Sequence, residues 1–268
     1  MKLFIRTLLI VTTLKALAMT SSAVVLDWGN LPGGATWASG SLTNSFNPDA
    51  TNAGNDITIA VQTNNGVAFS SGYPVNSSSV GGTVANNDAS SLRLRTPTMV
   101  DTNGSVSVTI TFAYAQGVNN VSFSILDVDA STGDSGYVDR ISSITATPVG
   151  GPANSVALTG VNASSTVTTL TGSGTLGMEV QGNLPASGVT DHTGDVTFSS
   201  DATPITSITF TWNNPGPQFD PQIIALGNIS FSAAPVPEIG SSLGALATCG
   251  GLLAARRRRL ARRGLAAA

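Results

Sequence analysis

Apolar and polar side chains alternate along the middle of the chain. Between residues 105 and 112, Val106, Val108, Ile110 and Phe112 occupy every second position, and serine or threonine fills the places between them. Successive side chains of a strand point to opposite faces, so this period of two predicts a strand with one buried and one solvent-facing side.

The same pattern recurs between clusters of Gly, Asn, Asp, Ser and Pro, and no helical period interrupts it. The clearest predicted strands are residues 56–62, 105–113, 120–127, 138–147, 155–159, 194–199, 205–212 and 223–231. Residues 24–55 and 71–91 are rich in Asn, Ser and Gly, and we predict long loops or weak edge strands there. About ten strands without intervening helices predict an all-β fold, an antiparallel β-sandwich with a jelly roll as its expected form.

The amino terminus has a different composition. Lys2 and Arg6 accompany an apolar stretch over residues 3–14, and Ser21, Ser22 and Ala23 supply the small residues that signal peptidase requires. This arrangement predicts a signal peptide over residues 1–23, cleaved after Ala23, and therefore export.

The carboxy terminus carries an uncharged apolar run over residues 239–255. As a helix it would span about 26 Å, close to the hydrocarbon core of about 30 Å. Arginines follow immediately, and they favour the cytoplasmic side of a membrane. The run therefore predicts a single transmembrane helix. It also contains Cys249, the one cysteine of the chain, so the exported body can form no disulfide.

The whole tail, residues 235–268, resembles the PEP-CTERM sorting signal of exported bacterial proteins. The resemblance rests on the motif Val236-Pro237-Glu238, the apolar span 239–255, and the arginine-rich segment 256–263, which includes Arg256, Arg257, Arg258 and Arg259. Family members usually have a second proline where this chain has Ile239. The resemblance implies that exosortase recognises and processes the tail, that membrane attachment is transient, and that the body reaches the envelope, the cell surface or an extracellular polysaccharide matrix.

Residues 24–234 are long enough for one exported domain, and their charge differs from that of the whole chain. Three of the 12 basic residues and 14 of the 15 acidic residues fall within them, which leaves a net charge of −11. Affinity for nucleic acid depends on Lys and Arg opposite phosphate, so this charge excludes nucleic acid as a partner.

One segment of the body could hold a cation. Asp127, Asp129 and Asp134 follow a predicted strand, and Asp139 lies five residues further on. Carboxylates in alternation can converge on Ca²⁺, which takes six to eight oxygen ligands. The segment lacks the glycine and the glutamate of an EF-hand loop. It predicts a calcium site, the one cofactor indicated, with a solvated acidic turn as the alternative.

Aromatic side chains near acidic residues could also bind a sugar. Tyr137, beside the acidic segment, is the main ligand candidate, and the other candidates for stacking are Tyr73, Tyr114, Trp37 and Trp212. The alternative is that most aromatic residues are needed inside, with Trp28, Trp37 and Phe231 as core or strand-edge anchors.

The sequence contains little evidence for a catalytic site. His192 is the only histidine and lies between Asp191 and Asp195, but no Gly-x-Ser-x-Gly elbow accompanies it. Glu179 is the only glutamate of the body, so a pair of facing glycosidase carboxylates is not indicated. The sequence therefore predicts a non-enzymatic structural or adhesive surface or matrix protein. The alternatives are a calcium-assisted carbohydrate-binding module and, further behind, a secreted hydrolase.

Overall fold

A computed structural model of the chain describes residues 22–77, 90–97, 99, 104–131, 136–186, 192–216 and 221–235. The chain divides into two compact units between Ala234 and Pro235. Within the described ranges there is no helix long and apolar enough to span a bilayer. The predicted signal segment up to residue 21, the sorting motif 236–238, the apolar run 239–255 and the arginines 256–263 lie outside the described residues.

The described residues of the first unit form fourteen strands. They are β1 (Val24–Leu26), β2 (Thr43–Phe46), β3 (Ile57–Asn64), β4 (Val75–Ser77), β5 (Ser91–Thr96), β6 (Ser105–Phe112), β7 (Val118–Leu126), β8 (Arg140–Pro148), β9 (Thr159–Asn162), β10 (Thr168–Thr171), β11 (Glu179–Gly182), β12 (Val196–Ser199), β13 (Ile205–Asn213) and β14 (Gln222–Ala233). The only helices in the described residues are single 3-10 turns at Pro32–Gly34 and Pro152–Asn154.

The strands pair antiparallel in two layers. The first layer runs β2-β3-β6-β13-β8-β11-β10. The second runs β9-β12-β7-β14, with β1 and β5 both beside β14 and β4 beyond β5. The layers share one point of strand pairing, Ile205 with Val118. The central orders β5-β14-β7-β12 and β6-β13-β8-β11 are those of the two sheets of a jelly roll, as the sequence predicts.

Side chains from both layers form one core. On β6 the apolar residues of the alternating pattern are all at most 3 % exposed, so the inward face is the one the sequence predicts. Phe112 on β6 packs against Phe231 on β14 with ring centroids 5.1 Å apart, and Phe123 on β7 stacks on Phe210 on β13 at 6.2 Å. These contacts between layers make the fold a sandwich.

Residues 24–55 and 71–91 contain the short strands β1, β2 and β4, each paired on one side only, and the start of β5. This agrees with the predicted loops or weak edge strands. Two details differ from the prediction. Strand β5 was not predicted and lies between β14 and β4, with Arg93 buried and Arg95 exposed. Residues 155–159 make only an isolated bridge, Val156 with Ala146, and the strand begins at Thr159.

Candidate functional site

The acidic segment connects the two layers, because β7 lies in the second and β8 in the first. Asp127 ends β7 with φ of +66°, and the short bridge between Ala130 and Val138 narrows the loop. Asp129 and Asp139 are joined by a backbone hydrogen bond in which the Asp139 N–H donates to the Asp129 carbonyl at 2.9 Å. The structure therefore brings together three of the predicted carboxylates, while Asp134 lies outside the described residues.

Asp139 is the most buried of the three, with no exposed surface. Its Oδ1 accepts a hydrogen bond of 2.8 Å from Nε1 of Trp212, whereas its Oδ2 has no hydrogen-bond partner. Burial raises the pKa of Asp139 well above its usual range, and the negative charges of Asp129 and Asp127 raise it further, against the opposing effect of the Trp212 hydrogen bond. Asp139 therefore holds a proton more readily than an exposed carboxyl does.

Asp129 uses both carboxylate oxygens within the protein. Oδ1 accepts a hydrogen bond from the Tyr137 hydroxyl at 2.9 Å, and Oδ2 accepts one from the Ala186 N–H at 2.9 Å. Burial, followed by the negative charge of Asp129, raises the pKa of Tyr137, which therefore stays protonated. Tyr137, the predicted ligand residue, thus uses its hydroxyl to brace the loop.

We call Asp127, Asp129, Tyr137 and Asp139 the acidic cluster. The described residues contain no group of three or more His, Cys, Asp or Glu side chains placed to hold a metal ion. Hard cations bind oxygen ligands, and the oxygen of the cluster without a protein partner is Oδ2 of Asp139. The calcium site predicted for Asp127, Asp129, Asp134 and Asp139 stays a prediction, because Asp134 lies outside the described residues.

His192 pairs with the carboxylate that precedes β12. Its Nδ1 lies 3.0 Å from Oδ2 of Asp195, and the Asp127 N–H donates to the other oxygen of Asp195 at 3.4 Å. In the part of the chain that the structure describes, no hydrogen bond joins His192 to a serine. The pair therefore links the loop before β12 to the end of β7.

Two of the aromatic candidates for stacking on a sugar are buried, which contradicts that role for Trp212 and supports the alternative of a core anchor for Trp37. Trp37 is 4 % exposed and Trp212 is 0 % exposed, because both side chains belong to the core. Tyr73 keeps a partly exposed ring with the guanidinium groups of Arg93 and Arg95 at 5.8 and 6.0 Å from its centroid. The ring of Tyr73 is therefore shared with two cations rather than open on all sides.

The sequence analysis missed a second acidic cluster, in the loop before β3. Asp56 is fully buried and accepts hydrogen bonds from the Asp49 N–H at 2.8 Å and from Nδ2 of Asn52 at 2.6 Å. The Tyr114 hydroxyl donates to Asp49 at 3.3 Å. The turn-forming run Asn47-Pro48-Asp49 was the available signal. These bonds satisfy the loop internally, so they serve the fold.

No family model matches the chain, and no curated protein matches it. Among solved structures, it is similar to a family 11 carbohydrate-binding module from Clostridium thermocellum in complex with a β-1,3-1,4-mixed-linked tetrasaccharide. The identity is 11 %, the TM-score is 0.29, and the match covers 66 % of this chain and 89 % of that one.

Two further solved structures are similar at the same level. A family 61 carbohydrate-binding module in complex with β-1,4-galactotriose has 11 % identity and a TM-score of 0.29, over 65 % of this chain and 88 % of that one. The enzymatically active domain of bacteriophage CBA120 tailspike protein 4 has 12 % identity and a TM-score of 0.31, over 66 % of this chain and 19 % of that one. TM-scores this low carry no argument about ligand or activity.

Proposed function

We propose that the chain is an exported, non-enzymatic structural or adhesive protein that acts at the cell surface or in an extracellular polysaccharide matrix and binds carbohydrate there. The amino-terminal signal would deliver it, and exosortase would process the tail at Val236-Pro237-Glu238 after a transient stay in the inner membrane.

The observation that carries this proposal is the chemistry of the body's outward-facing strands. On β6 the outward residues are Ser105, Ser107, Thr109 and Thr111, and residues 24–234 contain no lysine. Such strands present neutral groups that both donate and accept hydrogen bonds, which suits contact with hydroxyl-rich polymers.

The described polar clusters support a binding role rather than a catalytic one. Asp129 is committed to Tyr137 and Ala186, and His192 pairs with Asp195. A general acid or base needs a reacting group within hydrogen-bond reach, and these bonds instead hold loops together.

The test is the intact mass and the location of the protein in its native host, for the wild type and for a variant with Arg256, Arg257, Arg258 and Arg259 changed to alanine. We expect wild-type protein to co-fractionate with extracellular polysaccharide, with a mass that corresponds to a chain from about residue 24 to about residue 236. The variant should accumulate as unprocessed or misplaced precursor, because positive charge after the span sets membrane orientation.

Wild-type protein that keeps residues 239–268 would make the tail a permanent anchor and would exclude exosortase processing. Equal yields of trimmed, correctly located protein from the variant would show that the arginines have no sorting role. Absence of the wild type from the polysaccharide fraction would contradict the matrix function.

A calcium-assisted carbohydrate-binding module is the second candidate. It is favoured by one observation, the buried Oδ2 of Asp139 that has no hydrogen-bond partner in a cluster of carboxylates. A bound calcium ion would hold the connection between β7 and β8 and would lower the pKa of Asp139 by opposing the nearby negative charges.

A further inference from the structure

The outer face of the first layer carries hydroxyl groups in register across five adjacent strands. The register of β2, β3, β6, β13 and β8 places side chains beside one another in rows that cross the sheet. The first row is Ser45, Thr58, Thr111, Ser207 and Thr147. The second is Thr43, Ala60, Thr109, Thr209 and Thr145, and the third is Gln62, Ser107, Thr211 and Ser142.

We call these three rows the hydroxyl face. Neighbouring strands lie about 4.8 Å apart, and alternate residues along a strand are about 6.7 Å apart. The rows therefore form a two-dimensional array that is regular on β3 and β6, because the period-two pattern of each strand coincides with the pairing register of its neighbour. On β8 the register shifts between the second and third rows, from Thr145 to Ser142.

The hydroxyl face has no charged side chain, although residues 24–234 carry a net charge of −11. The acidic residues of the described part lie mainly in loops. On the outward side of this layer the described charged residues are Arg140, at the start of β8, and Glu179, on β11 beyond it. A solvated surface commonly has about a quarter to a third of charged residues, so a neutral field of this extent needs a further reason.

Many of the hydroxyls are not used within the protein. Ser45 pairs with Thr58 at 2.7 Å, and Thr109 lies 3.4 Å from Thr209. By contrast, several central hydroxyls make no hydrogen bond in the described part of the chain: Thr111, Ser207, Thr145, Thr211 and Ser142. Each can both donate and accept a hydrogen bond with a molecule outside.

The charge and hydrogen-bonding groups of the hydroxyl face favour one class of binding partner. A protein partner would need a desolvated apolar or aromatic centre, and the three rows contain only Ala60 as an apolar residue. A polyanion would be repelled by the acidic body, and a polycation would find no carboxylate in the rows. A neutral polymer with many hydroxyls matches both the charge and the hydrogen-bonding capacity of the rows.

From this match we propose that the hydroxyl face binds a neutral polysaccharide laid across β6, β13 and β8. This inference rests on the proposed function and assigns its carbohydrate contact to one surface. Four strand spacings and two row spacings give a face of about 19 by 13 Å. Specific interfaces typically bury more than about 1,200 Å² in total. One domain therefore binds weakly, and many copies on one polymer bind strongly through multivalency.

The test uses the exported protein recovered from its host and two neutral insoluble polymers, amorphous cellulose and a β-1,3-glucan, with alginate as a charged comparison. The variant changes Thr111, Thr145 and Thr211 to valine, which removes three hydroxyls that make no hydrogen bond in the described part of the chain. Valine keeps the branched shape that strands favour. The matched control is Thr197→Val, on the outer face of the second layer, where the hydroxyl pairs with Ser124 at 2.9 Å.

We expect wild type and Thr197→Val to bind at least one neutral polymer with affinities within about twofold of each other. The triple variant should bind that polymer at least tenfold more weakly, because each lost hydrogen bond between neutral groups contributes up to about a factor of ten in affinity. Equal binding by the triple variant would overturn the assignment to this face and leave the matrix function intact. Binding of alginate but of neither neutral polymer would contradict the proposal that the partner is a neutral polysaccharide. The same conclusion would follow if the protein co-fractionates with the matrix but binds none of the three polymers.

Two measurements cover the remaining outcomes. Nuclear magnetic resonance of wild-type protein with cellohexaose should shift amide signals of β6, β13 and β8. Shifts confined to the acidic cluster would contradict the proposal even if the triple variant does not fold. Sedimentation should show the same association state for wild type and triple variant. Loss of a dimer in the variant would mean that a second copy covers the face instead.

Discussion

Asp139 shows how one residue changes character between sequence and structure. In the sequence it is an aspartate at the edge of a polar loop, but in the fold it is fully buried against Trp212 with one oxygen unpartnered. Burial disfavours the charged carboxylate, and the field of Asp129 adds to this effect. The protonation of this side chain is therefore linked to folding.

We predict that Asp139→Asn reduces the loss of stability as pH rises. The folded protein holds the Asp139 proton more tightly than the unfolded chain does. The protonated side chain therefore contributes its full share of the folding stability below a pH of about 4, and this share is lost as pH rises through the raised pKa of the folded state. Asparagine cannot ionise and still accepts from Trp212. Urea unfolding between pH 4 and pH 8 should show that the free energy of unfolding of the variant increases relative to that of wild type as pH rises.

Asp201→Asn is the opposite control. Hydrogen bonds from Thr203 lower the pKa of Asp201, so its contribution is present at neutral pH and is lost as pH falls through the lowered value. The free energy of unfolding of Asp201→Asn should therefore decrease relative to that of wild type as pH rises. Parallel stability curves for wild type and Asp139→Asn would show that Asp139 does not titrate differently in the two states.

At the scale of elements, the acidic cluster depends on close contact between its loop and β11. The N–H of Gly182 donates to the Asp139 carbonyl at 2.9 Å. A Cβ added at Gly182 would overlap the backbone carbonyl of Asp129. Position 182 therefore has no room for a side chain, because the backbone of the loop at Asp129 occupies the space beside it.

Gly182→Ala should therefore destabilise the domain by about 1–3 kcal/mol or more, the range for overpacked sites. The matched control is Gly177→Ala, where the nearest atom to an added Cβ is 3.9 Å away and φ is not positive. That variant should stay within about 0.5 kcal/mol of wild type. Chemical denaturation of both measures the difference, and equal midpoints would show that the loop moves away from β11 at little cost.

At the scale of the whole molecule, a calcium ion in the acidic cluster would join the two layers through the β7 to β8 connection. A ligand that binds only the folded state, at a concentration 100-fold above its Kd, stabilises by about 2.7 kcal/mol. For a domain of about 200 residues, this corresponds to a rise in Tm of about 5–10 °C.

We therefore expect Tm to rise by several degrees when calcium replaces EGTA, and the rise to disappear in Asp139→Asn. Calorimetry with magnesium in place of calcium serves as the control, because magnesium dehydrates reluctantly and prefers a stricter geometry. The same Tm in calcium and in EGTA would leave the cluster as a loop brace and remove the calcium-assisted candidate.

The sequence alone predicted the all-β, antiparallel jelly roll and the inward face of strands such as β6 and β13. This was possible because the alternation of apolar residues is a local property that survives whatever the strand pairs with. It did not predict β5, and it left the segments of β1, β2 and β4 open between loops and weak edge strands, because their residues resemble loops until neighbours supply the hydrogen bonds.

The tertiary structure alone decided which polar residues meet. Spacing indicated that Asp127, Asp129 and Asp139 are near one another, but it could not show that Trp212, from β13, donates to Asp139. It could not decide whether Trp37 is a core anchor or a stacking residue, or show that Trp212 lies in the core, because burial depends on the opposite layer. The hydroxyl face has the same origin: the outward serines and threonines follow from each strand's own pattern, whereas their rows follow from pairing between strands distant in the chain.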